Sequence, residues 1–139
     1  PETEKASGEL GLAMLLKAQA DDAKQDSKKK LEDVLTLFEK AEQRFEGFLG
    51  AYTRHPRLRE ARFQVGMLLQ SKGDFLKKRI DKDQTLAAKF RETAEDAYDT
   101  AIDLFIVEVC DLSHHSVQLT GPFAHRNHLA HHGGENTGC

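Results

Sequence analysis

The chain has no tryptophan, only three prolines, two cysteines and two tyrosines in 139 residues, and its longest nearly uncharged apolar run is Leu10 to Leu16. Each shortage excludes something. A run of seven is far short of the roughly 20 residues that span a bilayer, so no membrane-spanning segment is expected. Scarce proline leaves long stretches free to be helical. Two cysteines, Cys110 and Cys139, could pair, but they sit in or beside the last 30 residues and would staple nothing in the main body. A basic excess is also missing, because the formal net charge is -3. With no broad positive field to draw in phosphate backbones, nucleic acid is not expected as a partner. The chain begins at Pro1 without an initiator methionine and without the basic and apolar regions of a signal peptide, and is expected to be a fragment or a processed piece.

What is present is 39% hydrophobic and 31% charged sequence, the profile of water-soluble helical protein. Displaced by 53 positions, the sequence overlies itself: Leu12-Ala13-Met14-Leu15-Leu16 falls on Val65-Gly66-Met67-Leu68-Leu69. At the same displacement Ala41, Phe45, Leu49 and Tyr52 fall on Ala94, Tyr98, Ile102 and Phe105. Even the polar interruption Lys24 to Lys30 falls on the charged stretch 77–83. The chain therefore reads as two copies of one helix-turn-helix unit, about residues 7–55 and 56–109.

Apolar residues recur at steps of three and four: Leu31, Val34, Leu35, Phe38, Ala41, Phe45, Phe48, Leu49 and Tyr52 form one stripe, and Leu86, Phe90, Ala94, Ala97, Tyr98, Ala101, Leu104 and Phe105 another. Such stripes are the buried faces of amphipathic helices. Four helices are predicted, near 7–23, 30–53, 56–72 and 83–109, with a stop at Gly73-Asp74 and a break at Pro56. Lys28 and Lys29 precede Glu32 and Asp33 by four, a spacing for helical ion pairs should that segment be helical; the run reads otherwise as a solvated face. Gly66, inside a predicted helix, implies close approach of a neighbouring helix, because glycine there costs about 1 kcal/mol relative to alanine.

Val65-Gly66 seven residues ahead of Gly73, with Ala94-x3-Tyr98-x2-Ala101 in the following helix and Ala41-x3-Phe45-x2-Phe48 in the earlier copy, resembles the tetratricopeptide repeat. The stretch from Phe45 through His55-Pro56 to Val65-Gly66 is similar to repeats of bacterial cell-envelope proteins of that superfamily. The resemblance covers about residues 8–107. It implies an all-α fold of two antiparallel helical hairpins, a fragment of a right-handed solenoid, and a non-catalytic scaffold for protein-protein interaction in the bacterial envelope or periplasm. It also implies a concave face lined by Leu10, Met14 and Lys17 in copy one and by Phe63, Met67 and Gln70 in copy two, which would hold a protein or peptide partner or flanking repeats of the same chain. Flexible Met beside an aromatic suits such a surface, while the plain alternative is that these residues complete the core. Two departures stand out. The family period is about 34 residues, so a 53-residue unit implies an insertion between its helices, and arrays of this kind generally have at least three repeats.

A third copy would begin at 118–122, where Gly121-Pro122 stands in place of the apolar run, so the repeat ends. Residues 110–139 carry six of the seven histidines and no lysine, and are expected to form a disordered tail. Cys110, His114, His128 and His132 are the candidate metal ligands of an alternative, metal-responsive reading. Their spacing matches no standard zinc pattern, so neither a metal site nor any other cofactor is expected. No His-Glu-x2-His motif, phosphate-binding glycine loop or serine elbow is present, and no catalytic role is expected.

Overall fold

The computed structural model describes residues 2–120, with side chains for 3–107, 109 and 110. It is all-helical: α1 (Glu2–Lys24), α2 (Leu31–Ala51), α3 (Leu58–Lys82) and α4 (Ala87–Thr120), with a 3-10 turn at Gln84–Leu86 leading into the last helix. Helix α1 packs along α2 and α3 along α4, while α2 and α3 join the two pairs and α1 touches α3. The contacts Phe38 to Phe75 and Glu42 to Lys72 fix α2 and α3 as antiparallel, because position rises on one helix as it falls on the other.

The stripes seen in the sequence form the core. Val34, Phe38, Ala41, Phe45 and Phe48 of α2 are buried, against Leu10 of α1 and Leu68 and Leu76 of α3. Full burial of such side chains contributes about 1.5–3 kcal/mol each, so these carry much of the stability. On α4, Phe90, Ala94, Ala97 and Ala101 supply the matching face.

Helix α1 begins at Glu2 rather than near 7, and three further expectations are revised, each for a physical reason. Helix α3 does not stop at Gly73-Asp74 but continues to Lys82. Gly73 is instead a point of contact, since a methyl there would lie 3.0 Å from the Tyr98 ring. The 53-residue unit contains no inserted loop among the described residues; its extra length lies in helices of 21 to 34 residues, and the α1–α2 connection is only Gln25 to Lys30. Lys28 to Lys30 lie in that connection, so their spacing to Glu32 and Asp33 is not a helical one. Finally, α4 runs to Thr120 rather than to 109, because no Gly or Pro occurs between Ala87 and Thr120 to end it.

The turns are built locally. Asp83 accepts from the Thr85 amide and hydroxyl through Oδ1, and the hydroxyl bond above all lowers its carboxyl pKa while starting the 3-10 turn. After α2, His55 donates its amide to the Tyr52 carbonyl and accepts from the Arg57 amide through Nδ1, turning the chain before α3. Pro56 lies inside this turn. In the first turn of α3, the Arg57 guanidinium holds the Glu60 carboxyl below the usual carboxylate range by hydrogen bonding.

Candidate interaction face

Position in the fold separates the six candidate residues into two groups. Phe63, Met67 and Gln70 stand at steps of four and three on α3, on a face that no other helix covers among the described residues. Phe63 is 44% exposed, Met67 39%, and Gln70 is exposed as well. The Phe63 ring leans on Phe105 of α4 with centroids 5.7 Å apart, which fixes its direction without burying it. On α1 the picture differs. Leu10 is 1% exposed and belongs to the core, so its side chain is not offered to a partner; Met14 is half-buried against that core. Lys17 is half-buried and bonded to Asp21 Oδ2 at 3.2 Å.

The reason Leu10 is buried while its counterpart Phe63 is exposed lies in what each helix touches. Helix α3 follows α1 and takes up space beside it, whereas the corresponding side of α3 has no further helix among the described residues.

A polar bridge not read from the sequence joins α1 to α3. Lys24 Nζ donates to Ser71 Oγ at 2.6 Å, and the Ser71 hydroxyl donates to Asp21 Oδ1 at 2.6 Å. The second carboxylate oxygen of Asp21 takes the Lys17 bond. One helical turn before Asp21 is Lys17 and one turn before Ser71 is Met67, so the bridge sets these two at the same level of adjacent helices. A signal did exist: at the 53-residue displacement Ser71 replaces Ala18, a polar residue introduced at one copy only.

A cleft of about 240 Å³ lies where α1 and α3 end, lined by Lys24, Lys78, Arg79, Lys82, Asp74 and Phe75 among others. Two of its cations have structural work: Lys24 serves the bridge, and Arg79 donates to the Lys29 carbonyl at 2.9 Å while its guanidinium lies 4.9 Å from the Phe75 ring centre. Basic side chains at helix C-termini also offset the negative end of the helix dipole.

Of the candidate metal ligands, Cys110 and His114 fall within α4, four positions apart, and the His114 side chain lies outside the described residues, as do His128, His132 and Cys139. Among the described residues no group of three or more His, Cys, Asp or Glu is placed to hold a metal ion, and no helix is long and apolar enough to cross a membrane.

Comparison with family models, curated proteins and solved structures gives no match for this chain. The all-α class rests on the coordinates alone.

Proposed function

We propose that this chain is a non-catalytic protein-interaction scaffold, a tetratricopeptide-like helical array whose α3 face, with Met14 and Lys17 of α1 at its border, holds a segment of a partner protein. The observation that carries the reading is the exposure of Phe63 and Met67 together on one face of a helix whose other faces are packed. An aromatic held in direction by Phe105, beside a flexible thioether, offers apolar surface that adapts to varied side chains. Gln70 and Lys17 add hydrogen-bond donors at the rim, where polar contacts favour orientation over affinity.

The test is selection of a displayed library of peptides on the intact chain, followed by binding to the Phe63→Ala/Met67→Ala variant. Peptides that bind the parent and lose at least roughly tenfold in affinity on the variant, with the helical signal unchanged, support the reading. Equal binding to both proteins refutes this face. A large loss of helix in the variant would show that Phe63 and Met67 belong to the core and refute it equally.

A further inference from the structure

A second surface, on α1, is defined by comparing the two copies. On α3, Ala61, Val65, Leu68 and Lys72 form one stripe, all buried, and Lys72 Nζ pairs with Glu42 of α2 at 2.7 Å. This is the stripe on which the preceding pair's second helix lies. Their counterparts on α1, 53 positions earlier, are Gly8, Leu12, Leu15 and Gln19. All four are exposed, Leu12 at 38% and Leu15 at 55%. The same positions that bury a helix interface in the second copy thus stand open in the first, with leucines still at its centre.

We propose that the Gly8–Leu12–Leu15 face of α1 docks an amphipathic helix from outside the described chain, laid antiparallel across α1 as α2 is laid across α3. The interface is the α2–α3 interface carried one unit further, so its geometry is already exemplified within the molecule. Gly8 and Gly11 bear on the same face, and a methyl at either would meet nothing within 4 Å. Gly47 and Gly50 of α2 are equally open, so these glycines leave room on α1 without themselves marking a neighbour. At Gly66 and Gly73 an aromatic ring of α4 approaches closely, whereas on α1 the space is open.

A second copy of this chain does not fit the surface. Head-to-tail stacking would bring α4 against α1, and α4 carries Arg91 at the position of Phe38 and Ala88 at that of Leu35, both exposed. Ile102, at the position of Leu49, is exposed too, so α4 keeps an apolar residue at that one place where α2 has Leu35, Phe38 and Leu49. The chemistry of the occupant follows from the differences between the stripes. Gln19 and Asp22 stand where Lys72 and Phe75 stand on α3. The docking helix therefore carries apolar residues toward Leu12 and Leu15 and a basic residue, in the place of Phe38, toward Asp22.

The chain itself supplies the probe: a labelled peptide of residues 31–51 with Phe38→Lys. Fluorescence anisotropy would follow its binding to the full chain, to the Leu12→Glu/Leu15→Glu variant, and to the Phe63→Ala/Met67→Ala variant. The expected result is saturable binding to the parent, a loss of at least roughly tenfold on Leu12→Glu/Leu15→Glu, and none on Phe63→Ala/Met67→Ala. Both leucines are exposed, so the charged variant keeps its fold, and an unchanged melt verifies this. No binding to the parent, or equal binding to the Leu12→Glu/Leu15→Glu variant, overturns the proposal. So does concentration-dependent self-association of the parent that this variant abolishes, because the occupant would then be a second copy. Loss only on the Phe63→Ala/Met67→Ala variant would overturn this proposal while leaving the α3 face as a binding site.

Discussion

Replacing Gly66 with alanine adds one methyl to the middle of α3, where an open position would gain stability. Alanine is favoured over glycine in a helix interior by about 1 kcal/mol. At Gly66, however, the added carbon would lie 2.6 Å from Phe105 Cε1 and 2.9 Å from Cζ, well inside contact distance. The ring must move, and it is half-buried and in contact with Phe63 at 5.7 Å. Overpacking of this kind costs about 1–3 kcal/mol, so the net effect is a loss of up to about 2 kcal/mol. Gly47 in α2 is the internal control, because nothing lies within 4 Å of a methyl there and Gly47→Ala should gain up to about 1 kcal/mol. For a domain of this size 1 kcal/mol shifts the melting temperature by roughly 4 °C, so the two variants should differ by up to roughly 12 °C in melts followed by circular dichroism. In a Phe105→Leu background the ring is gone, and Gly66→Ala should become neutral or stabilising. If Gly66→Ala raises the melting temperature of the parent as Gly47→Ala does, the close approach of α4 is not what keeps glycine at 66.

Tyr98 offers a pH test. Burial first, and then the hydrogen bond it donates to Asp74 Oδ1 at 2.5 Å, push its phenol up to about 12. The folded chain keeps a proton that the unfolded chain releases near pH 10, so stability is unaffected below about 10 and falls as pH rises toward 12. Ultraviolet titration should show a late phenolate step that Tyr98→Phe removes and Asp74→Asn moves downward; a Tyr98 step at about 10 in the parent would refute the assignment. Lys72 tests the joint between the pairs. Lys72→Ala leaves the largely buried Glu42 without its cation, and because Glu42 keeps some access to water the cost should be about 1–3 kcal/mol in urea unfolding. Glu42→Leu with Lys72→Met should recover most of that loss, and a double variant as unstable as Lys72→Ala would count against an isolated ion pair.

Helicity, the repeat and most of the core stripe were legible because they are encoded at short range, in steps of three and four and in one fixed displacement. Glycine was ambiguous. The same residue ends helices and admits close neighbours, and at Gly73 the choice is made by Tyr98, a residue on another helix. Gly66 was readable only because it lay well inside an apolar run. The 53-residue period also has two local readings, an inserted loop or longer helices, and the charged stretch 77–83 is loop-like in composition yet helical as far as Lys82 because Ile80 and Leu76 bury one side of it. Leu10 and Phe63 are matched in sequence but not in surroundings, so a family resemblance carried across the displacement assigned both to an open face. The bridge of Asp21, Lys24 and Ser71 spans about 50 residues and left only the Ala18-to-Ser71 difference as its trace.

The two copies also differ in the small residues at which their helices meet. Where α3 has Gly66 and Gly73 beneath Phe105 and Tyr98, α1 has Ala13 and Ala20, both buried. The α1–α2 pair accommodates a methyl at each level and the α3–α4 pair does not, so the two pairs pack differently at these levels. Hydrogen bonds are directional and constrain the slide of α1 along α3. Ser71 is bonded to Asp21 and to Lys24, nearly one turn apart on α1, so a slide in either direction lengthens one of the two 2.6 Å bonds as it shortens the other. Ser71→Ala should therefore cost only about 1 kcal/mol in stability, since Asp21 and Lys24 lie 3.9 Å apart and can still attract one another. It should nonetheless weaken peptides selected on the α3 face by more than that loss explains, because Lys17 and Met67 no longer hold one level. Unchanged peptide affinity in Ser71→Ala, with the melt lowered as expected, would mean that the bridge only stabilises the joint and does not position the face.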